Sequence, residues 1–433
     1  MTTPISFDNV IPRIQETLIS YKSKIKTPIT IVRQANGTVT VVVKEFENIE
    51  TGRQIAEILH GNLGPYSPGI NSVILSEKDL IDPEDVLSSR DRIRLPDAEL
   101  ETYVVDRLLT NQDWLRDSHW ESRIPVAVAY SIKGGVGRSL ALTVLARYLA
   151  KMGKKVALVD LDLEAPGLGI LLAADGAKYG VTDWLVEALV NNAPEKLTND
   201  YWFRVPALSE GTGAVFCIPA WGSETKEYIA KVGRAYLTSL SSNGDMWKGL
   251  GTNLQNLVNS IAGAEFTPDV VLIDSRAGLH DLGAAVVTQL DAEIMLFTRD
   301  EMQSWKGYSK LFEHLAKSRQ IKWGRQTDDL RSRLKMVVAQ IGSTEEALKH
   351  CVQSSYDIWQ EIYDEETTAE KSDVSYALND EVAPHYPTPI YFGDPLRGFP
   401  GWGMGETIRE EVIKVAFGEF CKLWSSRLGF GGE

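Results

Sequence analysis

Two patterns of apolar and polar residues follow one another along the chain and change over near residue 118. In the first part, two runs rich in β-branched residues, 27–34 and 38–46, lie on either side of Asn36-Gly37. This dipeptide readily adopts the positive φ angles of a two-residue turn, so the two runs predict a β-hairpin.

The rest of the first part has mainly helical periodicity. Residues 51–64 have apolar positions at helical spacing and end on a glycine, which suits a helix C-terminus. Residues 82–116 begin with acidic residues and continue with apolar residues at i, i+3 and i+4, which predicts one or two helices. Together with the hairpin, these helices indicate a small α+β domain over residues 1–118, with an accessory or docking role.

From Ile124 onward, continuous apolar runs alternate with amphipathic stretches. Such runs are typical of strands buried on both faces, and their alternation with helices predicts a mostly parallel sheet covered on both sides. The first helix of this part is predicted at 139–153 and ends at a glycine. The strands are predicted at 124–131, 154–163, 269–275, 292–298, 334–342 and 388–392. The predicted fold class is therefore a doubly wound α/β domain over residues 119–433.

One connection in this second domain is unusually long. Residues from about 175 to 265 separate two predicted strands, and they contain three segments with helical periodicity, 181–192, 228–240 and 251–264. We therefore expect a helical insertion here, packed beside the functional site.

The composition is typical of a globular protein with a net negative charge. The 433 residues include 45 Lys plus Arg against 59 Asp plus Glu, which gives a formal charge of −14. A field of that sign repels nucleic acid and anionic membranes, so neither is favoured as a partner. The three cysteines form no close pair, which favours a reducing, cytoplasmic environment.

Signals for export or membrane insertion are weak. The amino terminus lacks a basic region followed by an apolar run, and no window approaches 18 uninterrupted apolar residues, so we expect neither a signal peptide nor an integral membrane segment. The last predicted helix carries an apolar stripe, which is more typical of core packing than of a membrane-surface helix. The stripe consists of Ile413, Phe417, Phe420 and Trp424.

A glycine-rich loop, KGGVGRS at residues 133–139, joins the first apolar strand of the second domain to its first helix. Glycines let such a loop curl so that its backbone N–H groups and the following helix N-terminus face an anion. The strict phosphate-loop pattern GxxxxGK[ST] fails at two positions, because Ile132 replaces the first glycine and Arg138 replaces the lysine. Ser139 retains the hydroxyl that ligates Mg²⁺ in such loops.

The loop resembles the deviant Walker A loop, KGGxGK[ST], of the SIMIBI class of P-loop ATPases, the MinD and ParA relatives. The resemblance implies a P-loop NTPase fold, ATP and Mg²⁺ as cofactors, and a homodimer in which Lys133 reaches the phosphates bound by the partner subunit. It also implies that the loop holds the nucleotide. The residues concerned are Lys133, Gly134, Gly135, Val136, Gly137, Arg138, Ser139 and Leu140.

Arg138 stands where the family has the lysine that contacts the β- and γ-phosphates. Arginine keeps the charge, but its planar guanidinium is longer than an ammonium and has a different geometry. In this respect the loop resembles the KGGVGR-motif variant branch of the class. That resemblance implies a bacterial protein and makes defence or signalling a hypothesis for its role.

Two further stretches strengthen the resemblance. VALVDLDLEAPGLG, at 156–169, is similar to the second-strand motif of the family, which implies that Asp162 orients the attacking water and that Asp160 lies near Mg²⁺. DVVLIDSRAGLHD, at 269–281, is similar to Walker B followed by switch II, which implies that Asp274 holds a water ligand of Mg²⁺.

The predicted switch II loop contains Gly278, which would let the loop move on sensing the γ-phosphate, and Arg276, a candidate contact to phosphate or to the partner subunit. Residues 299–311 resemble a ParA-type helix with Gly307 at its middle. Residues 391–400 are a candidate for the loop beside the base. The six histidines form no zinc-binding pattern, and no GxSxG elbow occurs.

These expectations lead to the hypothesis of a Mg²⁺-ATP-dependent, slowly hydrolysing dimeric ATPase. It would act as a switch for a protein partner, through the N-terminal domain or the switch II face. The candidate catalytic residues are Lys133, Arg138 and Asp162. The candidate metal-site residues are Ser139, Asp160 and Asp274.

Three alternatives remain open. Arg138 could slow hydrolysis so far that the protein is a regulatory, nucleotide-binding interaction module. A ParA-like DNA-partitioning ATPase would bind DNA in a salt-sensitive way, which the net charge of −14 disfavours. A MinD-like membrane-cycling protein would co-sediment with liposomes. The preference for ATP over GTP rests on the resemblance, since no NKxD-type guanine-reading stretch occurs.

Overall fold

The chain divides into two compact units, Met1–Gln112 and Asp113–Glu433. The division lies a few residues before the point near 118 where the sequence pattern changes. A computed structural model describes residues 4–89, 91–95, 99–116, 118–172, 176–237, 239–240, 247–317, 329–363, 375–396, 398–404 and 407–431.

The N-terminal unit is a five-stranded sheet with the order β3-β2-β1-β5-β4. Its strands are β1 (Ile25–Arg33), β2 (Val39–Phe46), β3 (Ile74–Ser76), β4 (Arg92–Arg94) and β5 (Thr102–Asp106). Its helices are α1 (Val10–Ile19), α2 (Ile49–Leu63) and α3 (Pro83–Leu87). Strands β1 and β2 form the predicted antiparallel hairpin, in which Gly37 has a φ of 88°. Strand β5 lies parallel to β1 at the centre of the sheet.

Helices cover both faces of this sheet. Ile14 of α1 and Leu59 of α2 share one apolar cluster with Ile29 of β1. On the other face, Val86 of α3 lies in a smaller cluster with Val105 of β5. Full burial of an aliphatic side chain of this size stabilises a fold by about 1.5–3 kcal/mol, so each face has its own source of stability.

The prediction of one or two helices over 82–116 was wrong. Its acidic start does form a helix, the short α3, whose N-terminus is capped by the Asp82 side chain. The remainder contributes strands β4 and β5. The β-branched pair Val104 and Val105 pairs in register with Ile31 and Val32 of β1, so pairing with a strand about 70 residues away in sequence overrides the local helical spacing.

The C-terminal unit is built on an eight-stranded sheet with the order β15-β14-β13-β6-β12-β7-β9-β8. Neighbouring strands are parallel except for the edge pair β8 and β9. The strands are β6 (Val126–Ser131), β7 (Lys155–Leu161), β8 (Phe203–Arg204), β9 (Ala214–Ile218), β12 (Val270–Ser275), β13 (Glu293–Thr298), β14 (Leu334–Ile341) and β15 (Thr388–Tyr391), with β10 (Ser239–Leu240) and β11 (Trp247–Lys248) forming a separate pair. This arrangement confirms the predicted doubly wound α/β fold.

Helices pack on both faces of the sheet because alternate residues of each strand point to opposite sides. In β6, Val128 and Tyr130 belong to one core cluster and Ala127 and Ala129 to the other. The helices are α4 (Arg138–Lys151), α5 (Leu168–Leu171), α6 (Val181–Leu189), α7 (Tyr228–Ala235), α8 (Leu250–Ala262), α9 (Asp281–Ala284), α10 (Met302–Leu315), α11 (Leu330–Arg333), α12 (Glu345–Trp359) and α13 (Glu410–Arg427).

The C-terminal helix α13 packs in the core. Phe420 and Trp424, from the apolar stripe noted above, are fully buried in the cluster that contains Leu145 of α4. No helix in the described part of the chain combines the length and the apolar composition needed to cross a bilayer.

The expectation of a helical insertion over about 175–265 was correct for its three helical segments but did not include the strands that the region also contains. The region contains α6, α7 and α8, but it also returns to the sheet as β8 and β9. The apolar run Ala214–Ile218 is buried along its whole length beside β7, which is why it forms a parallel strand and not part of a helix. Residues 175, 238 and 241–246 of this region lie outside the described residues.

Candidate functional site

The phosphate loop connects the end of β6 to the start of α4, at the carboxyl edge of the sheet. Gly135 and Gly137 have φ angles of 74° and 91°, which side chains other than glycine rarely adopt. A Cβ atom built on Gly134 or Gly135 would meet nothing within 4 Å, so this part of the loop borders open space. Among the backbone hydrogen bonds of the described residues, none is donated by the N–H groups of 133–137. Together with the first N–H groups of α4, they can receive an anion, so the loop fits a phosphate group.

Arg138, the residue that replaces the usual lysine, does not extend into the open side of the loop. Its side chain is only 7% exposed and points to buried polar groups at the ends of the strands. The Nε atom donates to Asp274 Oδ1 at 3.3 Å, and Nη2 donates to Asp162 Oδ2 at 3.2 Å. The remaining nitrogen, Nη1, donates to the Ser131 hydroxyl. The guanidinium therefore connects groups that follow or end three different strands.

Ser139 and Asp274 lie next to each other at the helix N-terminus. The Ser139 hydroxyl donates to Asp274 Oδ2 at 2.5 Å, and the Asp274 side chain is almost fully buried. Burial raises the pKa of Asp274, although the adjacent Arg138 and Ser139 oppose the shift. A hydroxyl beside a carboxylate suits a hard cation such as Mg²⁺, which keeps several of its own waters and takes few protein ligands.

Asp160 lies near the end of strand β7, and Asp162 directly follows that strand. Burial raises the pKa of Asp162 to about 6, against the influence of Arg138. Its Oδ1 atom accepts the Ala165 N–H at 3.3 Å. Asp160 is fully buried, and burial together with the charge of Asp274 raises its pKa to about 8.

The two oxygens of Asp160 are both engaged by the backbone that follows. Oδ1 accepts the Asp162 N–H at 3.2 Å, and Oδ2 accepts the N–H groups of Leu168 and Gly169 at 3.0 and 3.4 Å. Asp160 therefore holds the loop between β7 and α5. That loop lies close to the phosphate loop, because a Cβ atom on Gly167 would come within 3.1 Å of Ser139 Oγ.

Lys133 is paired within its own chain. Its Nζ atom donates to Glu301 Oε2 at 2.5 Å, and this hydrogen bond lowers the pKa of Glu301. Both side chains are partly exposed, at 39% and 29%. Glu301 occupies the N-cap position of α10, so the pair links the phosphate loop to the start of that helix.

A second contact joins the phosphate loop to α10. A Cβ atom on Gly307 would lie 2.4 Å from Cγ2 of Ile132. The glycine in this helix thus accommodates the isoleucine that replaces the first glycine of the strict motif. The departure from the strict motif at Ile132 is therefore matched in space by the glycine of α10.

The loop after β12 makes contact with both neighbouring segments. Arg276 Nη1 donates to Glu164 Oε1 at 2.5 Å, and the same oxygen accepts the Tyr236 hydroxyl at 2.6 Å. Gly278 has a φ of 106°; its N–H donates to the Ser131 carbonyl at 2.8 Å, and its own carbonyl accepts the Tyr130 hydroxyl at 3.0 Å. The backbone of this loop is thereby tied to the strand that carries the phosphate loop.

His280 caps the next helix. Its Nδ1 atom accepts the Gly283 N–H at 3.3 Å at the start of α9. Burial lowers the pKa of His280, and the positive charge of Arg276 lowers it further. A neutral imidazole is what this acceptor role requires.

A cavity of about 380 Å³ adjoins the phosphate loop on the side of the C-terminal segment. It lies between the start of α4 and the segment after β15, which was the candidate for the base-side loop. Gln340, whose φ is 60°, donates from Nε2 to the Gly135 carbonyl at 3.2 Å at the mouth of this cavity. The lining includes Val136, Leu140, Arg299, Gln340, Tyr391 and Phe392. Its size and its mixture of apolar and polar groups are those of a small-ligand pocket.

The structure thus brings Arg138, Ser139, Asp162 and Asp274 into one hydrogen-bonded group. Asp160 lies behind that group and Lys133 at its edge. Sequence reasoning missed the partners Ser131, Glu164, Tyr236 and Glu301. Of these, Glu164 and Glu301 lay within segments already singled out, 156–169 and 299–311. Within the described ranges, no group of three or more His, Cys, Asp or Glu side chains has the arrangement of a metal site.

Comparison with known proteins gives a consistent result. The family described as "CobQ/CobB/MinD/ParA nucleotide binding domain" matches residues 127–372. The septum site-determining protein MinD of Buchnera aphidicola subsp. Baizongia pistaciae (strain Bp) is 23% identical over 199 residues. That match covers 45% of this chain and 60% of the relative, so the chain spans less than two thirds of the relative's length.

Two solved structures are similar in fold. MinD from Pyrococcus horikoshii OT3, complexed with Mg-ADP, is 17% identical with a TM-score of 0.41, covering 72% of this chain and 99% of that one. The pNOB8 ParA bound to nonspecific DNA is 15% identical with a TM-score of 0.40, covering 71% of this chain and 97% of that one.

Proposed function

The chain belongs to the CobQ/CobB/MinD/ParA family of nucleotide-binding domains, and from this premise we propose that it is a Mg²⁺-ATP-dependent switch that hydrolyses ATP slowly as a homodimer. The observation that carries the proposal is the phosphate loop. Its backbone borders open space, and Ser139, directly after Arg138, contacts the carboxylate of Asp274. Each residue's role is part of the proposal.

The phosphates would be held by the backbone N–H groups of 133–140, which combine the free loop amides with the helix N-terminus. Ser139 and Asp274 would hold Mg²⁺, Asp274 through a water ligand. A Mg²⁺ ion held by these residues would supply positive charge that offsets the charge of the phosphates. We assign Asp160 to shaping the β7–α5 loop and not to direct coordination, because both of its oxygens already accept backbone N–H groups.

Asp162 would orient the attacking water. It lies in the loop after β7, its carboxylate is 14% exposed, and its oxygens accept hydrogen bonds from Arg138 at 3.2 Å and from the Ala165 N–H at 3.3 Å. With a pKa of about 6 it is mostly ionised at neutral pH, as an acceptor of a water proton must be.

The base would occupy the cavity of about 380 Å³ beside the loop. Val136 and Leu140 offer apolar surface there, and Phe392 offers an aromatic face. Gln340 is close enough to the loop to respond to an occupant, since it already donates to the Gly135 carbonyl. We propose adenine as the base, in line with the family.

Lys133 would complete the site of the partner subunit. To do so, its side chain must leave Glu301. Both side chains are partly exposed, so the ion pair that breaks is a weak one. Exposed ion pairs contribute about 0–1 kcal/mol, an amount that contact with a triphosphate readily offsets. Dimerisation would therefore depend on nucleotide.

A second function is favoured by the contacts of Arg138. The guanidinium hydrogen-bonds to Asp162 and Asp274, so Arg138 is not aimed at the phosphates as the family's cis lysine is, which supports a module that binds nucleotide with little turnover. A DNA-partitioning role has weaker support, since the net charge of −14 opposes DNA binding.

These proposals are tested by nucleotide binding and turnover measured together. A fluorescent ATP analogue reports binding, and phosphate release is followed over a range of protein concentrations, in wild type, Ser139→Ala and Lys133→Ala. Lys349→Ala is the matched control, since this exposed lysine pairs with Glu345 on its own helix α12. We expect Mg²⁺-dependent binding that weakens in Ser139→Ala, and turnover that rises with concentration and disappears in Lys133→Ala.

The outcomes separate the candidates. Binding without turnover in wild type supports the regulatory module. Turnover that does not depend on protein concentration, and survives in Lys133→Ala, contradicts the dimeric switch. Absence of nucleotide binding at millimolar Mg²⁺-ATP contradicts both.

A further inference from the structure

The carboxyl ends of three adjacent strands carry polar side chains that converge on Arg138. In the sheet order, β6, β12 and β7 are neighbours. Ser131 ends β6, Asp274 lies near the end of β12, and Asp162 follows the end of β7. The guanidinium donates to all three, so one side chain connects the three strand ends.

The contacts of Ser131 extend this connection to the phosphate loop. Its hydroxyl donates to the Lys133 carbonyl at 2.8 Å while it accepts from Arg138. Its backbone carbonyl accepts the Gly278 N–H at 2.8 Å. The group around Arg138 is therefore bonded to the loop after β6 and to the loop after β12.

Charge and burial explain why an arginine is needed in this place. Asp162 and Asp274 are 14% and 1% exposed, and both lie within 3.3 Å of the guanidinium. Two buried carboxylates side by side repel each other, and an internal cation offsets that repulsion. A lysine carries three rotatable donors on a single nitrogen, whereas the planar guanidinium presents donors on three nitrogens in fixed directions, one towards each of the three groups.

We propose that Arg138 is a positioning residue that joins Asp162, Asp274 and Ser131, and that it does not bind the phosphates. The phosphate-binding role of the family's cis lysine passes to the loop N–H groups and to Lys133. The statement that Arg138 does not bind the phosphates rests on the proposed function. The statement that Arg138 joins the three side chains does not depend on nucleotide.

The test compares Arg138→Met with Lys133→Met, which removes the other cation of the loop. Two quantities are measured: the folding equilibrium constant from urea unfolding without nucleotide, and the Kd of a fluorescent ATP analogue with Mg²⁺. We expect Arg138→Met to lower the folding equilibrium constant by about 100-fold or more, because it leaves two buried carboxylates without their partner. Lys133→Met should change that constant by less than about 5-fold, because its ion pair is partly exposed.

A double variant keeps the proposal testable if Arg138→Met does not fold. The double variant, Arg138→Met with Asp162→Asn, removes one carboxylate together with the cation. Its folding equilibrium constant should be at least about 10-fold higher than that of Arg138→Met alone, the coupling expected of groups in contact. We expect the folded double variant to bind the analogue with a Kd within about 10-fold of wild type.

The outcomes distinguish this proposal from the proposed function. If Arg138→Met is as stable as wild type and its Kd rises by more than about 100-fold, Arg138 binds phosphate and the proposal is overturned. If Asp162→Asn recovers none of the stability, the joining role is overturned. If wild type binds no nucleotide but the stability coupling is present, the proposed function fails and the positioning role stands.

Discussion

The close contact between Ile132 and Gly307 predicts that the effect of Gly307→Ala on stability changes sign when Ile132 is also replaced by alanine. Gly307 lies at the middle of α10, where alanine would normally be preferred by about 1 kcal/mol. Here, however, a Cβ atom would stand 2.4 Å from Ile132 Cγ2, whereas non-bonded carbon atoms rest at about 3.5–4.0 Å. We therefore expect Gly307→Ala to push Ile132 out of place.

The magnitude follows from two opposing contributions. Adding a methyl group to a filled space costs about 1–3 kcal/mol, and the helix preference returns about 1 kcal/mol. The net free energy of unfolding should fall by up to about 2 kcal/mol. In an Ile132→Ala background the overlapping methyl groups are gone, so the same Gly307→Ala change should raise stability by up to about 1 kcal/mol.

Urea unfolding of the four proteins of this cycle measures the effect as a shift in midpoint at constant slope. Gly418→Ala is the control, because Gly418 lies inside helix α13 and its Cβ would meet nothing within 4 Å. It should stabilise the protein equally in both backgrounds. The reasoning is refuted if Gly307→Ala lowers stability by the same amount with Ile132 and with alanine at position 132, or if it stabilises as Gly418→Ala does.

Three further predictions concern other parts of the C-terminal unit. Burial lowers the pKa of Lys335 to about 8, so between about pH 8 and 10.5 the folded protein binds fewer protons than the unfolded chain. The free energy of unfolding should therefore rise with pH over this range, by up to about 3 kcal/mol relative to Lys335→Met, as measured by urea unfolding. Asp183 is a buried acceptor for Lys231 Nζ at 2.5 Å, and Asp183→Ala should lower stability by about 3 kcal/mol, seen as a lower Tm, with Asp183→Asn less affected. Gln340→Gly relieves a positive φ but removes the donor to the Gly135 carbonyl, so the Kd of a fluorescent nucleotide should rise by a few-fold at almost unchanged Tm.

The central strands could be predicted from sequence because they are buried on both faces. The runs at 124–131 and 269–275 are apolar along most of their length, a pattern typical of strands that are covered on both faces. Strands β5 and β9 were missed for a different reason. Their runs are only five residues long and lie beside segments with helical spacing, and what makes them strands is their pairing with β1 and β7.

The resemblance to family motifs pointed to Ser139, Asp162 and Asp274, and the structure places these side chains close together around Arg138, while their roles stay a prediction. Their contacts with other segments were not predictable. The pairing of Lys133 with Glu301 joins residues 168 apart in sequence, and that of Arg276 with Glu164 joins residues 112 apart. No local pattern encodes such distances, which depend on the order of the strands in the sheet.

The sheet order also has a consequence for how the protein is made. Strand β6, which leads into the phosphate loop, hydrogen-bonds to β12 and β13, whose residues follow only at 270–275 and 293–298. At about 5–20 residues per second, a ribosome needs on the order of ten seconds to produce the chain between Ser131 and Val270. During that interval the strand has neither of its sheet neighbours, and its apolar residues are exposed to other chains and to chaperones. The phosphate loop is therefore synthesised early in its unit but reaches its final geometry only when the strands that carry Asp274 and lead to Glu301 have emerged.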